Sequence, residues 1–140
     1  MIADFLNKYR PHGPWLLVAI SPDKKGAPIA ATFTDAAKAE AWATEQNKTR
    51  NVYFSVNPTA ATLNKKPSKA DIARLEWLHV DIDPRAGEDF EQERARIKSL
   101  LNGSLPKDIP APSLVIDSGG GFQAFWRLAQ PLALEGSAEK

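Results

Sequence analysis

The chain has 140 residues, 18 basic against 17 acidic, and no cysteine. That length suits one domain, or one domain with a fragment of the next, and a net charge of +1 leaves no global pull toward nucleic acid, so any such site has to be local. Disulfides and cysteine zinc sites are excluded, and His12 and His79 alone do not make a zinc site of the usual kind. No run approaches the ~20 apolar residues of a membrane span, and the Met1-Ile2-Ala3-Asp4 start lacks the layout of a signal peptide. These features fit a cytoplasmic protein.

In chain order, residues 2–9 read as a short helix that stops before Pro11, because the residue ahead of a proline disfavours helical geometry. Trp15 to Ile20 is a compact apolar run and Ile29 to Phe33 a second. The Lys24-Lys25-Gly26 turn between them predicts a hairpin. Thr34 or Asp35 caps a helix to about Asn47, with Ala37, Ala41 and Trp42 expected on its buried side. Asn51 to Val56 alternates and is β-branched or aromatic, so it reads as a strand ending at Asn57-Pro58. Thr59 to Lys69, polar and lysine-rich with a proline, reads as an exposed loop.

Strand and helix then recur. Leu75 to Asp83 reads as a buried strand. Glu88 to Leu101 reads as an amphipathic helix with Phe90, Ile97 and Leu101 on its apolar stripe. Acids fill its first turns, Arg94, Arg96 and Lys98 follow, and Asn102-Gly103 supplies the stop. Ser113 to Asp117 and Phe122 to Leu128 make a second hairpin across the glycines. The order in this half is β-α-β-β, so the fold class is α/β (α+β), with one part over 1–74, a second over 75–132 and a loose tail over 133–140.

The densest chemical signal is Leu78-His79-Val80-Asp81-Ile82-Asp83-Pro84. Side chains alternate across a strand, so Asp81 and Asp83 share a face with Trp77 and His79, while Val80 and Ile82 turn to a core. Two like charges side by side in a buried strand need something positive between them. A divalent cation held by carboxylate oxygens, with substrate phosphates completing its shell, supplies it. The plainer reading is an Asp pair capping the strand end at Pro84; the glycine hairpin downstream favours a metal–nucleotide site. The turn Ser118-Gly119-Gly120-Gly121 lets backbone N–H groups approach phosphate oxygens, although its glycines also suit an ordinary hairpin. Gln123, Phe125 and Arg127 share one face of the next strand, with Arg127 placed either toward phosphate or toward solvent. Trp126 reads as core. Lys65, Lys66 and Lys69, following Asn57, offer charge for a phosphate backbone or simply form a solvated loop.

Three stretches taken together resemble the RepB-like branch of the archaeo-eukaryotic primase superfamily. They are Asn51-Val52-Tyr53-Phe54-Ser55-Val56-Asn57-Pro58, then Leu78 to Pro84, then Ser118-Gly119-Gly120-Gly121-Phe122-Gln123-Ala124-Phe125-Trp126-Arg127-Leu128. Members of that branch are plasmid- and phage-type DNA primases or primase-polymerases, often fused to a helicase. The resemblance covers residues 50–132 and, more loosely, the N-terminal third. It implies an N-terminal αβ unit packed on a module like an RNA-recognition motif, with an active-site cleft between them. It implies that Asp81 and Asp83 bind divalent ions, Mg²⁺ or Mn²⁺, which activate a primer 3′-hydroxyl and neutralise a nucleoside triphosphate on a single-stranded DNA template. Ser118, Gly119, Gly120, Gly121, Gln123 and Arg127 then meet the nucleotide, and Asn57, Lys65 and Lys66 the nucleic acid.

Two departures stand out. Gln123 occupies the place where the family usually has a phosphate-contacting histidine, and an amide donates a hydrogen bond but no charge. The family's third motif adds another acidic metal ligand further along, and no candidate stands before Lys140. The 140 residues therefore read as the front of a primase domain that does not polymerise unaided. Two other classes stay open: a Mn-dependent nucleotide-sugar transferase, which also places D-x-D after an apolar strand, and a nucleic-acid-binding or replication-initiation module that kept the fold without the chemistry.

Overall fold

A computed structural model describes residues 1–134. They form a mixed α/β protein with two three-stranded antiparallel sheets and three α-helices. The chain divides into two compact units, Met1–Leu75 with the described residues from Leu132 on, and Glu76–Pro131. No helix among the described residues is long and apolar enough to cross a membrane.

The first unit contains α1 (Ile2–Tyr9), β1 (Trp15–Ile20), β2 (Ile29–Phe33), α2 (Ala36–Gln46) and β3 (Asn51–Phe54). Its sheet order is β2-β1-β3, with Leu17 opposite both Ala31 and Phe54. The central position explains why β1 is an unbroken apolar run: both of its faces are covered. Trp15 and Leu17 join Leu6 of α1 and Ala39 and Ala43 of α2, while Leu16 and Val18 join Ala30 and the half-buried Leu63. Full burial of a side chain such as Leu6 contributes about 1.5–3 kcal/mol.

Asp35 caps α2 by accepting from the Ala37 and Lys38 N–H groups. The buried side of α2 differs from the sequence expectation. Ala39 and Ala43 are buried beside a half-buried Trp42, whereas Ala37 and Ala41 are exposed. An alanine-rich helix offers several stripes of similar apolarity, so spacing alone does not select one. At the end of α1, the Tyr9 hydroxyl and the Arg10 guanidinium both donate to the Val56 carbonyl, at 2.8 and 3.0 Å. They fix the segment leading to Asn57.

The second sheet comprises β4 (Arg74–Ile82), β5 (Leu114–Asp117) and β6 (Phe122–Ala133), with α3 (Phe90–Leu101) between β4 and β5 in sequence. Strand order is β4-β6-β5, so the last strand lies between the other two. β5 and β6 pair as a hairpin closing at Asp117 opposite Phe122. β6 runs further than expected, to Ala133, and the Leu134 N–H donates to Ala73 O. Residues 133 and 134 are thus structured, and the rest of the expected tail, 135–140, lies outside the described residues.

Asp89 caps α3 by accepting from the Gln92 N–H. Ile97 and Leu101 pack on Phe122 and Ala124, with Ile82, Leu105 and Trp126 half-buried around them. Two sequence expectations fail at this sheet. Phe90 is 48% exposed, and the buried stripe of α3 instead runs Glu93, Ile97, Leu101. Leu78 and Val80 are 50% and 45% exposed, because β4 is an edge strand and α3 reaches it at Ile82.

Candidate functional site

Asp81 lies near the end of β4 and Asp83 one residue beyond it, and both are exposed. The expectation of a buried like-charge pair is therefore incorrect, and desolvation supplies no argument for a cation here. Neither carboxylate has an ion pair or hydrogen bond with another described residue, whereas Glu93 and Asp117 in the same unit are fully engaged. Two unpartnered carboxylates close together in sequence are available donors.

The face they occupy is defined by its neighbours. The His79 ring stacks on Phe125 at 5.6 Å and 16°, Trp77 meets Phe125 edge-on at 6.3 Å, and the Arg127 guanidinium lies 4.7 Å over the Trp77 ring. By two-residue alternation Asp81 continues the Trp77–His79 row and Gln123 continues the Phe125–Arg127 row. The Arg127 guanidinium is itself engaged with the Trp77 ring, although the residue as a whole is exposed.

Asp83 meets the glycine turn. A Cβ at Gly121 would lie 2.5 Å from Asp83 Oδ1 and 2.5 Å from Ile82 O. Only glycine lets the start of β6 approach the end of β4 so closely. The carboxylate and the glycine motif, far apart in sequence, are thereby in contact. The turn itself is internally bonded. Ser118 N–H and Oγ–H donate to Gly121 O, Gly121 N–H donates to Ser118 Oγ, and Gly119, at φ 90°, donates its N–H to Asp117 Oδ1 at 2.8 Å. The Gly119 N–H is thus taken by Asp117, whereas the Gly120 N–H is free of intramolecular partners among the described residues.

Helix α3 holds both walls of this corner, through residues that sequence reasoning assigned only to helix-dipole charge. Arg94 forks onto Asp117 at 3.2 and 2.7 Å and donates to Gly119 O. Its guanidinium lies 4.7 Å over Phe122, and its hydrogen bonds, followed by that of the Gly119 N–H, hold the Asp117 carboxyl below the usual range. Glu93, its side chain 4% exposed, accepts from the Arg85 N–H, from the Arg85 guanidinium and from Arg96. The Arg96 and Arg85 hydrogen bonds depress its pKa strongly. A glutamate four residues before Ile97 on an otherwise apolar stripe was the available signal, since a buried acid requires a partner.

Asn57, Lys65 and Lys66 belong to the first unit, whereas Asp81, Asp83 and the turn belong to the second. Ser55 Oγ–H donates to Asn57 O at 2.7 Å, and both lysines are exposed. Among the described residues no group of three or more His, Asp or Glu side chains is placed to hold a metal ion. A Mg²⁺ shell commonly takes one or two carboxylates and completes itself with water and phosphate oxygens, a donor chemistry with which the exposed, unpartnered Asp81 and Asp83 are compatible. No protein-family profile, curated protein or solved structure matches this chain.

Proposed function

We propose that this chain is the metal- and nucleotide-binding part of a DNA primase or primase-polymerase, serving nucleotidyl transfer on single-stranded DNA. The observation that carries the proposal is the contact of Asp83 with Gly121 beside the unpartnered Asp81. A carboxylate pair and a glycine turn at one sheet corner are what a metal–triphosphate ligand requires: oxygens for the cation and close backbone for the phosphates. The β-α-β-β order with the last strand central supports an RNA-recognition-motif-like module.

A bound Mg²⁺ or Mn²⁺ supplies charge neutralisation of the triphosphate and activation of a 3′-hydroxyl. Asp81 and Asp83 hold that charge at the end of β4. Gly121 keeps the turn close, and Gly120 offers its N–H to a phosphate oxygen. Gln123 donates an uncharged hydrogen bond from the same face, and Arg127 supplies positive charge further along it. Asn57, Lys65 and Lys66 serve the nucleic-acid strand. With two acidic ligands, the 140-residue chain binds nucleotide without synthesising a dinucleotide.

A non-catalytic single-stranded DNA module is the second reading, favoured by the Gly119 N–H being already taken by Asp117. One competition experiment separates the classes. With a fluorescent deoxynucleoside triphosphate as probe, binding should need Mn²⁺ and be displaced by unlabelled deoxynucleoside triphosphate but not by a uridine diphosphate sugar. Displacement by the sugar nucleotide favours a transferase. Metal-independent DNA binding with no nucleotide binding favours the non-catalytic module and sinks the proposal.

A further inference from the structure

We infer that Glu93 is the positioning residue of the carboxylate site, acting on Asp83 through Arg85; this rests on the metal–nucleotide reading above. Asp83 stands one residue past β4, where strand pairing no longer holds it. Pro84 biases Asp83 to extended geometry, and Gly121 fixes how near the turn comes. Neither sets where the chain goes next. Arg85 does: its backbone N–H reaches Glu93 Oε1 at 2.9 Å, its Nε the same oxygen at 2.8 Å, and its Nη2 Oε2 at 3.0 Å.

Arg96, one turn along α3, donates to both oxygens at 2.8 and 3.1 Å. It orients the carboxylate toward Arg85 from the rigid side. Arg85 is itself largely exposed while Glu93 is buried. The anchor is therefore the glutamate, and the loop is what it holds. A backbone N–H bonded to a buried carboxylate defines the path of the chain two residues from Asp83, which a surface ion pair between side-chain tips does not. Partners behind a metal ligand typically change affinity 10–100-fold when removed.

The test compares Glu93→Gln in three backgrounds, with free Mn²⁺ counted by electron paramagnetic resonance. Mn²⁺ affinity should fall about 10–100-fold in the wild-type and Asp81→Asn backgrounds, and by less than about twofold in the Asp83→Asn background, where nothing remains to position. Arg85→Ala removes the guanidinium bonds but keeps the Arg85 N–H on Glu93, so it should cost less Mn²⁺ affinity than Glu93→Gln in the wild-type and Asp81→Asn backgrounds; a loss as large as that of Glu93→Gln would overturn the role given to the backbone bond. Equal losses in both aspartate backgrounds, or no loss at all, overturn the inference. Hydrogen exchange on the metal-free protein gives an independent readout. The Arg85 amide should exchange at least about tenfold faster in Glu93→Gln while the Leu101 amide in α3 is unchanged. If wild type binds no Mn²⁺, the metal reading itself fails. Unchanged Arg85 exchange then overturns the positioning role too, and selective acceleration upholds it.

Discussion

The consecutive glycines at 119, 120 and 121 have unequal roles, and replacing each by alanine separates them. At Gly121 the added Cβ meets Asp83 Oδ1 and Ile82 O at 2.5 Å and Asp83 Cα at 3.1 Å. Ordinary contact begins at 3.4 Å, so about 0.9 Å must be found, and the Ile82 oxygen is backbone at the end of a strand. Overpacking of this kind costs about 1–3 kcal/mol, which corresponds to a Tm lower by roughly 4–12 °C. The same displacement pushes Asp83 off the turn, so Mn²⁺ affinity falls together with Tm. At Gly120 nothing lies within 4 Å and the backbone is not left-handed, so alanine should be neutral within about 0.5 kcal/mol. At Gly119, φ is 90° with open space around it, and alanine should cost about 1 kcal/mol from backbone conformation alone. Thermal melts by circular dichroism, paired with Mn²⁺ titration of each variant, give the ranking 121, 119, 120. Equal melting of Gly121→Ala and Gly120→Ala would refute the close approach of the two strands.

Acid sensitivity follows from Glu93 and Asp117. Both are depressed, Glu93 by hydrogen bonds from Arg96, Arg85 and the Arg85 N–H, and Asp117 by Arg94 and then the Gly119 N–H. Their stabilisation is complete above the ordinary values of 4.5 and 3.8 and is lost as pH falls through the lower folded values. Urea midpoints should hold from pH 7 to about 5 and decline below it. Glu93→Gln should flatten that decline; a wild-type midpoint unchanged to pH 2 contradicts it. Ile97→Ala should cost about 2–5 kcal/mol in urea denaturation, because Ile97 is fully buried against Phe122 and Ala124. A loss below about 0.5 kcal/mol would mean that α3 is not seated on β6.

Much of the framework was legible because it follows from local rules. The apolar run Trp15–Ile20, the Asp35 cap and the glycine hairpin each specify an element without knowledge of their neighbours. Errors arose where a position depends on what covers it. Val80 reads as core from alternation, yet an edge strand away from its helix leaves it half-exposed. Phe90 reads as stripe, but Glu93 takes the buried place because Arg85 and Arg96 converge on it. For the site, the sequence singled out Asp81, Asp83 and the glycines but misjudged the burial of the two aspartates, since exposure depends on tertiary neighbours. Arg94 and Arg85 were passed over because their partners, Asp117 and Glu93, become neighbours only when loop, helix and turn are brought together.

The most direct test is a calorimetric titration of Mn²⁺ with a deoxynucleoside triphosphate into wild type and into the Asp81→Asn/Asp83→Asn double variant. Because both carboxylates are exposed and unpartnered, the variant should fold with an unchanged circular dichroism spectrum. Saturable, metal-dependent heat in wild type, absent in the variant, is the result expected of a metal–nucleotide site at the end of β4. Equal heats in the two proteins, or none in either, would contradict it.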